Sequence, residues 1–169
     1  TLAAYWPATQ CGYIWDDDDH IENNQTLRSA QGLGQVWFRI GATPQYYPLV
    51  HTSYWLEYRL WGLDPTGYHV VNILLHAAGS VLLWRVLWLL DLPGAWLAAA
   101  LFALHPVQAE SVAWITQRKN VLSGVFYFGA GLAYLRWALG SGPGRRPWLY
   151  AAALVLFLGA LLAKTVTCS

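Results

Sequence analysis

Apolar residues along this chain do not alternate with polar ones; they gather in blocks separated by short polar punctuation. The longest block, YHVVNILLHAAGSVLLWRVLWLL at residues 68–90, would extend roughly 34 Å as a helix, more than the ~30 Å hydrocarbon core of a bilayer. It predicts a complete transmembrane helix. A turn at Asp91-Leu92-Pro93-Gly94 leads into a second block, residues 95–115, broken at His105, Pro106 and Glu110. Proline cannot continue a helix regularly, so this segment is expected to enter as a helix and fray near His105. A third block covers 120–139 with Arg136 near its end, and a fourth covers 148–163 and stops at Lys164. The fourth is short and spans the core only with help from snorkelling flanks. Soluble core helices rarely stay apolar on every face over such lengths. The pattern therefore predicts an all-α, polytopic membrane protein.

The part before the first full block divides differently. Residues 1–7 are expected to be the last turns of a membrane helix whose beginning lies outside the chain, and residues 8–66 an extracytoplasmic loop ahead of the apolar region 67–169. Within that loop, YYPLVHTSYWLEYRLW from Tyr46 to Trp61 mixes Trp and Tyr with His51, Glu57 and Arg59, which suits an amphipathic helix lying in the membrane interface. Basic residues near span ends mark the cytoplasmic side. Arg85, Arg136, Arg145 and Arg146 put the 91–94 and 140–147 connections there. The acidic loop, the 105–119 connection and Lys164 fall opposite, although Arg28, Arg39, Arg59, Arg118 and Lys119 fall there too.

Composition agrees: 56% of residues are hydrophobic and 11% charged, against about 25% charged in soluble domains. A net charge of +1 and the lack of a basic stripe exclude nucleic acid as a partner. Cys11 and Cys168 fit no metal spacing and leave their pairing open.

Three groups carry candidate chemistry. GYIWDDDDHIENN, residues 12–24, holds five of the nine acidic residues. Crowded carboxylates raise one another's pKa, which suits one of them to act as a general base. Asp16 and Asp17 as ligands of a hard divalent cation are a second reading, and a solvated loop capping a helix near Ile21 is a third. HPVQAE places His105 and Glu110 at a helix end, where ionisable groups at membrane depth face a cavity. Arg118, Lys119 and Lys164 are cations on the non-cytoplasmic face and invite an anionic partner such as a lipid phosphate. His69, Asn72 and His76 form a helical stripe suited to interhelix hydrogen bonds. Asn24-Gln25-Thr26 matches a glycosylation sequon.

Taken together, YIWDDDDHIENN, YYPLVHTSYWLEYRLWGLDPTGYHVVNILLHAAGSVLL, ALHPVQAESVAWITQRKNVLSG and LLAKTVT resemble the amino-terminal membrane region of the cadherin-targeting transmembrane O-mannosyltransferases and their bacterial tetratricopeptide-repeat relatives. That resemblance implies a GT-C helical bundle and a glycosyltransferase that moves mannose or a similar hexose from a polyprenyl phosphate to a hydroxyl on a protein or glycan, with inversion. Asp16 and Asp17 match the family's acidic pair, with Ile21, Asn23 and Asn24 following, and one of the pair is implied to be the base. Tyr47, Pro48 and Leu49 resemble the family's Pro-Leu element in the first external loop, and His105, Glu110, Arg118 and Lys119, with Lys164, are implied to lie near the donor phosphate. No cofactor is implied beyond an optional divalent cation. Further helices and repeats of that family are not in this chain, so alone it is expected to be inactive. The rival readings are a multipass transporter or channel and a non-catalytic membrane scaffold. The Ala, Leu, Arg, Gly and Trp bias favours a bacterial inner membrane with a periplasmic loop over an endoplasmic reticulum membrane with a lumenal one.

Overall fold

Proline and polar caps set where the helices of the acidic loop begin. The computed structural model of the chain describes residues 1–140 and 146–165, so Arg145 and Cys168 lie outside the described residues. A short helix α1, Leu2–Tyr5, and a 3-10 turn, Trp6–Gln10, lead to the acidic segment, which closes as a π-type turn at Asp18–Glu22 and a 3-10 turn at Gln25–Arg28. Ser29 Oγ accepts from Gly32 N at 3.0 Å and starts α2, Ala30–Phe38. A Cβ on Gly32 would sit 1.8 Å from the Thr26 carbonyl oxygen, so only glycine lets α2 lie this close to the turn beneath it. Pro48 opens α3, Pro48–Trp61, and Pro65 opens α4, Pro65–Leu89, at the first-turn position where a missing N–H costs nothing.

α4 has 25 residues, or ~37 Å of helix, and is the one helix among the described residues long and apolar enough to cross a membrane. Two shorter apolar helices accompany it: α5, Ala95–Leu104, and α8, Pro147–Ala163. The block expected over 95–115 is divided. After Leu104 the chain extends at His105 (ψ 131°), whose Nδ1 accepts from Val107 N at 3.2 Å, and it continues through Pro106–Gln108, a short α6 at Ala109–Ala113 and a turn at Ile115–Gln117. α7 then runs from Arg118 to Ala138. The helices pack in the order α5, α4, α7, α8. Ala95, Ala99 and Ala103 recur every fourth position of α5 and are buried, the small-residue spacing that allows close helix approach.

α3 is inside out for a soluble helix. His51, Tyr54 and Glu57 are buried, while Leu56 and Leu60 are 52% and 72% exposed. The same holds for the larger helices, where Leu74, Trp84, Trp88, Trp96, Leu101, Leu154 and Val155 are exposed and His69, Asn72 and His76 are buried. Asn72 donates to the Trp114 carbonyl and His76 Nε2 faces the Ala103 carbonyl at 3.2 Å, the interhelix role expected of that stripe.

One interior ion pair joins these parts. Arg118, fully buried, donates from Nε to Asn72 Oδ1 on α4, from Nη1 to Glu57 Oε1 and to Ser53 Oγ (3.1 Å) on α3, and from Nη2 to Glu57 Oε2 (3.1 Å) and the Tyr68 carbonyl (2.9 Å). Its guanidinium also lies 5.1 Å from the Tyr54 ring centroid. All five of its N–H donors are thereby used. Replacing Glu57 with Gln strands this charge, and losing one partner of a buried pair costs about 3–5 kcal/mol. Glu57→Gln should lower the thermal midpoint of the detergent-solubilised protein by many degrees, whereas Glu110→Gln, at an exposed site, should leave it nearly unchanged. Equal midpoints for the two variants would remove Arg118 from the centre of the fold.

Candidate functional site

The acidic run enters the protein through a strained turn. Trp15 has φ +51°, an uncommon conformation for a bulky residue, and its ring packs edge-on against Trp114 with centroids 5.2 Å apart. The turn is closed on both sides: Asp17 N donates to the Ile14 carbonyl and Ile14 N donates to Asp17 Oδ2, each at 3.0 Å. Asp17 is completely buried, and its other oxygen, Oδ1, accepts from Thr116 N at 2.9 Å. Burial pushes its carboxyl above the usual carboxylate range, Asp16 adds to the shift, and the two backbone N–H donors oppose it.

Asp16 differs. Its side chain is 39% exposed, Oδ1 accepts from Thr116 Oγ1 at 2.6 Å, and Oδ2 lies 3.8 Å from His20 Nε2. The four aspartates thus separate into a sealed one, Asp17, a half-exposed one, Asp16, and two exposed ones, Asp18 and Asp19. His20 is buried and stacks on His51 with centroids 5.4 Å apart and planes 5° from parallel. Burial lowers the pKa of both rings, that of His51 to about 3, with His20 adding to the shift. No group of three or more His, Cys, Asp or Glu among the described residues is placed to hold a metal. Asp17, with both oxygens taken by backbone donors, does not fit the ligand role open to it in the sequence.

Asn24 closes the acidic loop from below. Its Oδ1 accepts from Thr26 N (3.0 Å) and Thr26 Oγ1 (2.6 Å), and its Nδ2 donates to the His20 carbonyl at 3.0 Å. Only 6% exposed, this amide is a structural lock and not the glycan acceptor that the sequon allowed.

The cations fall into two groups. Arg118 spends its donors inside the helix junction and has none left for a phosphate, contrary to the expectation for it. Lys119 is half-buried, with Nζ 3.5 Å from Gln45 Oε1, and its charge acts on nearby His20. Lys164 Nζ donates to Asn120 Oδ1 at 2.7 Å, and Asn120 in turn donates to Gln117 Oε1 at 2.8 Å, which ties the end of α8 to the Ile115–Gln117 turn. The structure therefore gathers Asp16, Asp17, Lys119 and Lys164 around that turn. His105 and Glu110 are exposed and share no described contact with the acid pair. His105 instead ends a cleft of about 320 Å³ lined by Leu97, Ala100, Leu101, Leu104 and Pro106.

Thr116 is the residue that sequence reasoning missed. A threonine inside an apolar connection carries no motif, and its two bonds to the acid pair cross about a hundred positions of chain.

No family model matches the chain, and no solved structure matches it significantly. Among curated proteins it is similar to protein O-mannosyl-transferase TMTC3 of Homo sapiens, with 32% identity covering 94% of this chain and 18% of that protein. TMTC3 of Mus musculus shares 34% identity over 79% of this chain and 16% of its own length. Tmtc1 of Drosophila melanogaster shares 33% over 95% of this chain and 19% of its own. The chain spans less than a fifth of the length of these relatives.

The buried histidines give a pH test. As pH falls, the unfolded chain binds protons on His51 near 6.5, while the folded protein does not until about 3. Protons then favour the unfolded state, so stability falls on acidification through that window. His51→Phe, which keeps a ring against His20, should lose less of its thermal midpoint than the wild type between pH 7.5 and 5, a range of about 2.5 pH units below and around the usual histidine value. An identical loss in both proteins would exclude His51 as a source of the acid sensitivity.

Proposed function

Since the chain belongs to the TMTC O-mannosyl-transferase family, we propose that it forms the acceptor-activating part of a membrane glycosyltransferase. In this reading α4, α5, α7 and α8 are a membrane-embedded bundle of GT-C type, α3 lies in the interface, and the acidic loop faces away from the cytoplasm. The exposed leucines and tryptophans of α4, α5 and α8 support it, because apolar side chains facing outward in such numbers need an apolar surrounding.

The donor is a sugar, mannose or a similar hexose, on a polyprenyl phosphate, and the acceptor is a hydroxyl on a protein. The acceptor oxygen attacks the anomeric carbon, its proton passes to Asp16, and the bond from that carbon to the phosphate oxygen breaks with its electron pair leaving on the phosphate. A single displacement of this kind inverts the anomeric centre. The observation that carries the reading is the division within the acid pair: Asp16 has an unclaimed oxygen at the surface of a strained turn, while Asp17 is sealed beneath it. A general base must reach its proton, and Asp17 has no free oxygen with which to do so. Asp17 therefore positions the turn.

Charge accumulates on the leaving phosphate as the bond breaks, and fixed cations stabilise it where water is scarce. Lys119 and Lys164, gathered at the same turn, supply them, and Arg118 holds the turn in place. The apolar cleft ending at His105 suits the prenyl tail of the carrier.

In the full-length protein, Asp16→Asn should lower transfer from a radiolabelled polyprenyl-phosphate mannose by about 10²- to 10⁴-fold, the usual contribution of a general base. Transfer at the wild-type rate would falsify the assignment of Asp16.

A further inference from the structure

Among the described residues, the side chain of Asp16 is oriented by a single hydrogen bond, from Thr116 Oγ1 to Oδ1 at 2.6 Å. Oδ2 lies 3.8 Å from His20 Nε2, beyond hydrogen-bond range. The terminal torsion of an aspartate is broad and two-fold. Without a partner on Oδ1, the carboxylate of a half-exposed Asp16 would turn freely and present either oxygen in a range of directions.

Thr116 is well placed to prevent this, because it is itself immobilised. It is 2% exposed. The carbonyl of Ile115 before it accepts from Tyr54 Oη at 2.9 Å and from Asn72 Nδ2 at 3.4 Å, and two residues on comes the saturated guanidinium of Arg118. Thr116 serves both acids: its hydroxyl donates to Asp16 at 2.6 Å and also acts on the Asp17 carboxyl, and its backbone N–H donates to Asp17 at 2.9 Å.

We propose that Thr116 is a positioning residue for proton transfer: its hydroxyl pins Oδ1 of Asp16 so that Oδ2 is the oxygen presented to the acceptor hydroxyl. This rests on Asp16 being the base. The residue touches neither sugar nor phosphate; it acts through the carboxylate it orients. Asp17 keeps its two backbone donors, Ile14 N and Thr116 N, whatever side chain stands at 116, so the turn stays closed when the hydroxyl is removed.

The test compares Thr116→Val, Thr116→Ser and Asp16→Asn in the full-length protein, with transfer from polyprenyl-phosphate mannose as the assay. Valine keeps the shape and removes the hydroxyl. Misplacement of a reacting group lowers the rate steeply, so Thr116→Val should reduce kcat by about 10- to 100-fold while KM for donor and acceptor changes by about twofold or less. Thr116→Ser, which keeps the hydroxyl and loses the methyl, should recover most of kcat. If the valine protein does not fold, Thr116→Ala read beside Thr116→Ser supplies the same comparison. A valine variant with wild-type kcat overturns the proposal, as do valine and serine variants equally impaired, or a loss that falls in KM. Asp16→Asn separates the two levels: if it is inactive while Thr116→Val is fully active, only the role of Thr116 fails, and if it is active, the base assignment fails with it.

Discussion

A guanidinium buried without water must have every donor met, and meeting the five donors of Arg118 determines how three helices and one turn sit together. Glu57 supplies charge and two acceptors from α3, Ser53 a third from the same helix, and Asn72 and the Tyr68 carbonyl two more from α4. Burial raises the pKa of the Glu57 carboxyl, and the adjacent guanidinium opposes that shift. A hydrophobic replacement for such a pair is often no less stable. What the pair adds here is directionality, since a planar fork accepts partners only at fixed angles. Arg118 stands at the first residue of α7, so the connection just before it inherits the same rigidity.

That connection is where the structural and chemical parts of the molecule meet. Ile115 packs in a cluster with Ile21 and Leu27 of the acidic loop and Val50, Tyr54 and Tyr68 of α3 and α4. Thr116 lies next to it and reaches the acid pair. Repulsion within a run of four aspartates would favour an open, solvated loop. Backbone donors to Asp17 and the threonine hydroxyl to Asp16 compensate it locally, and the Asn24 bridge fixes the backbone that follows. Asp18 and Asp19 remain at the surface.

The division of labour among the aspartates is consistent with catalysis by a single base. A carboxylate committed to backbone donors cannot also accept a substrate proton, while a carboxylate with no partner cannot hold a direction. Among the described residues, Asp16 has one oxygen bonded to Thr116 and the other 3.8 Å from His20 Nε2. The cations divide in the same way: Arg118, buried deepest, is used for architecture, while Lys119 reaches Gln45 and Lys164 donates to Asn120 at the edge of the turn.

Much of this was legible in the sequence. Long apolar blocks pointed to helices at α4, α7 and α8 because their apolar residues run past the length of a buried strand, and Pro106 dictated the break after α5. The acidic pair was legible as chemistry because its charge density was out of keeping with its surroundings. The split between Asp16 and Asp17 was not, since adjacent identical residues differ only through what the distant turn brings to them. Nor was the role of Arg118, whose sequence position beside Lys119 suggested an anion site. Whether a cation faces a ligand or the protein interior depends on partners that lie 46 to 65 positions away, and only the packing of α3 against α4 and α7 brings those partners within reach.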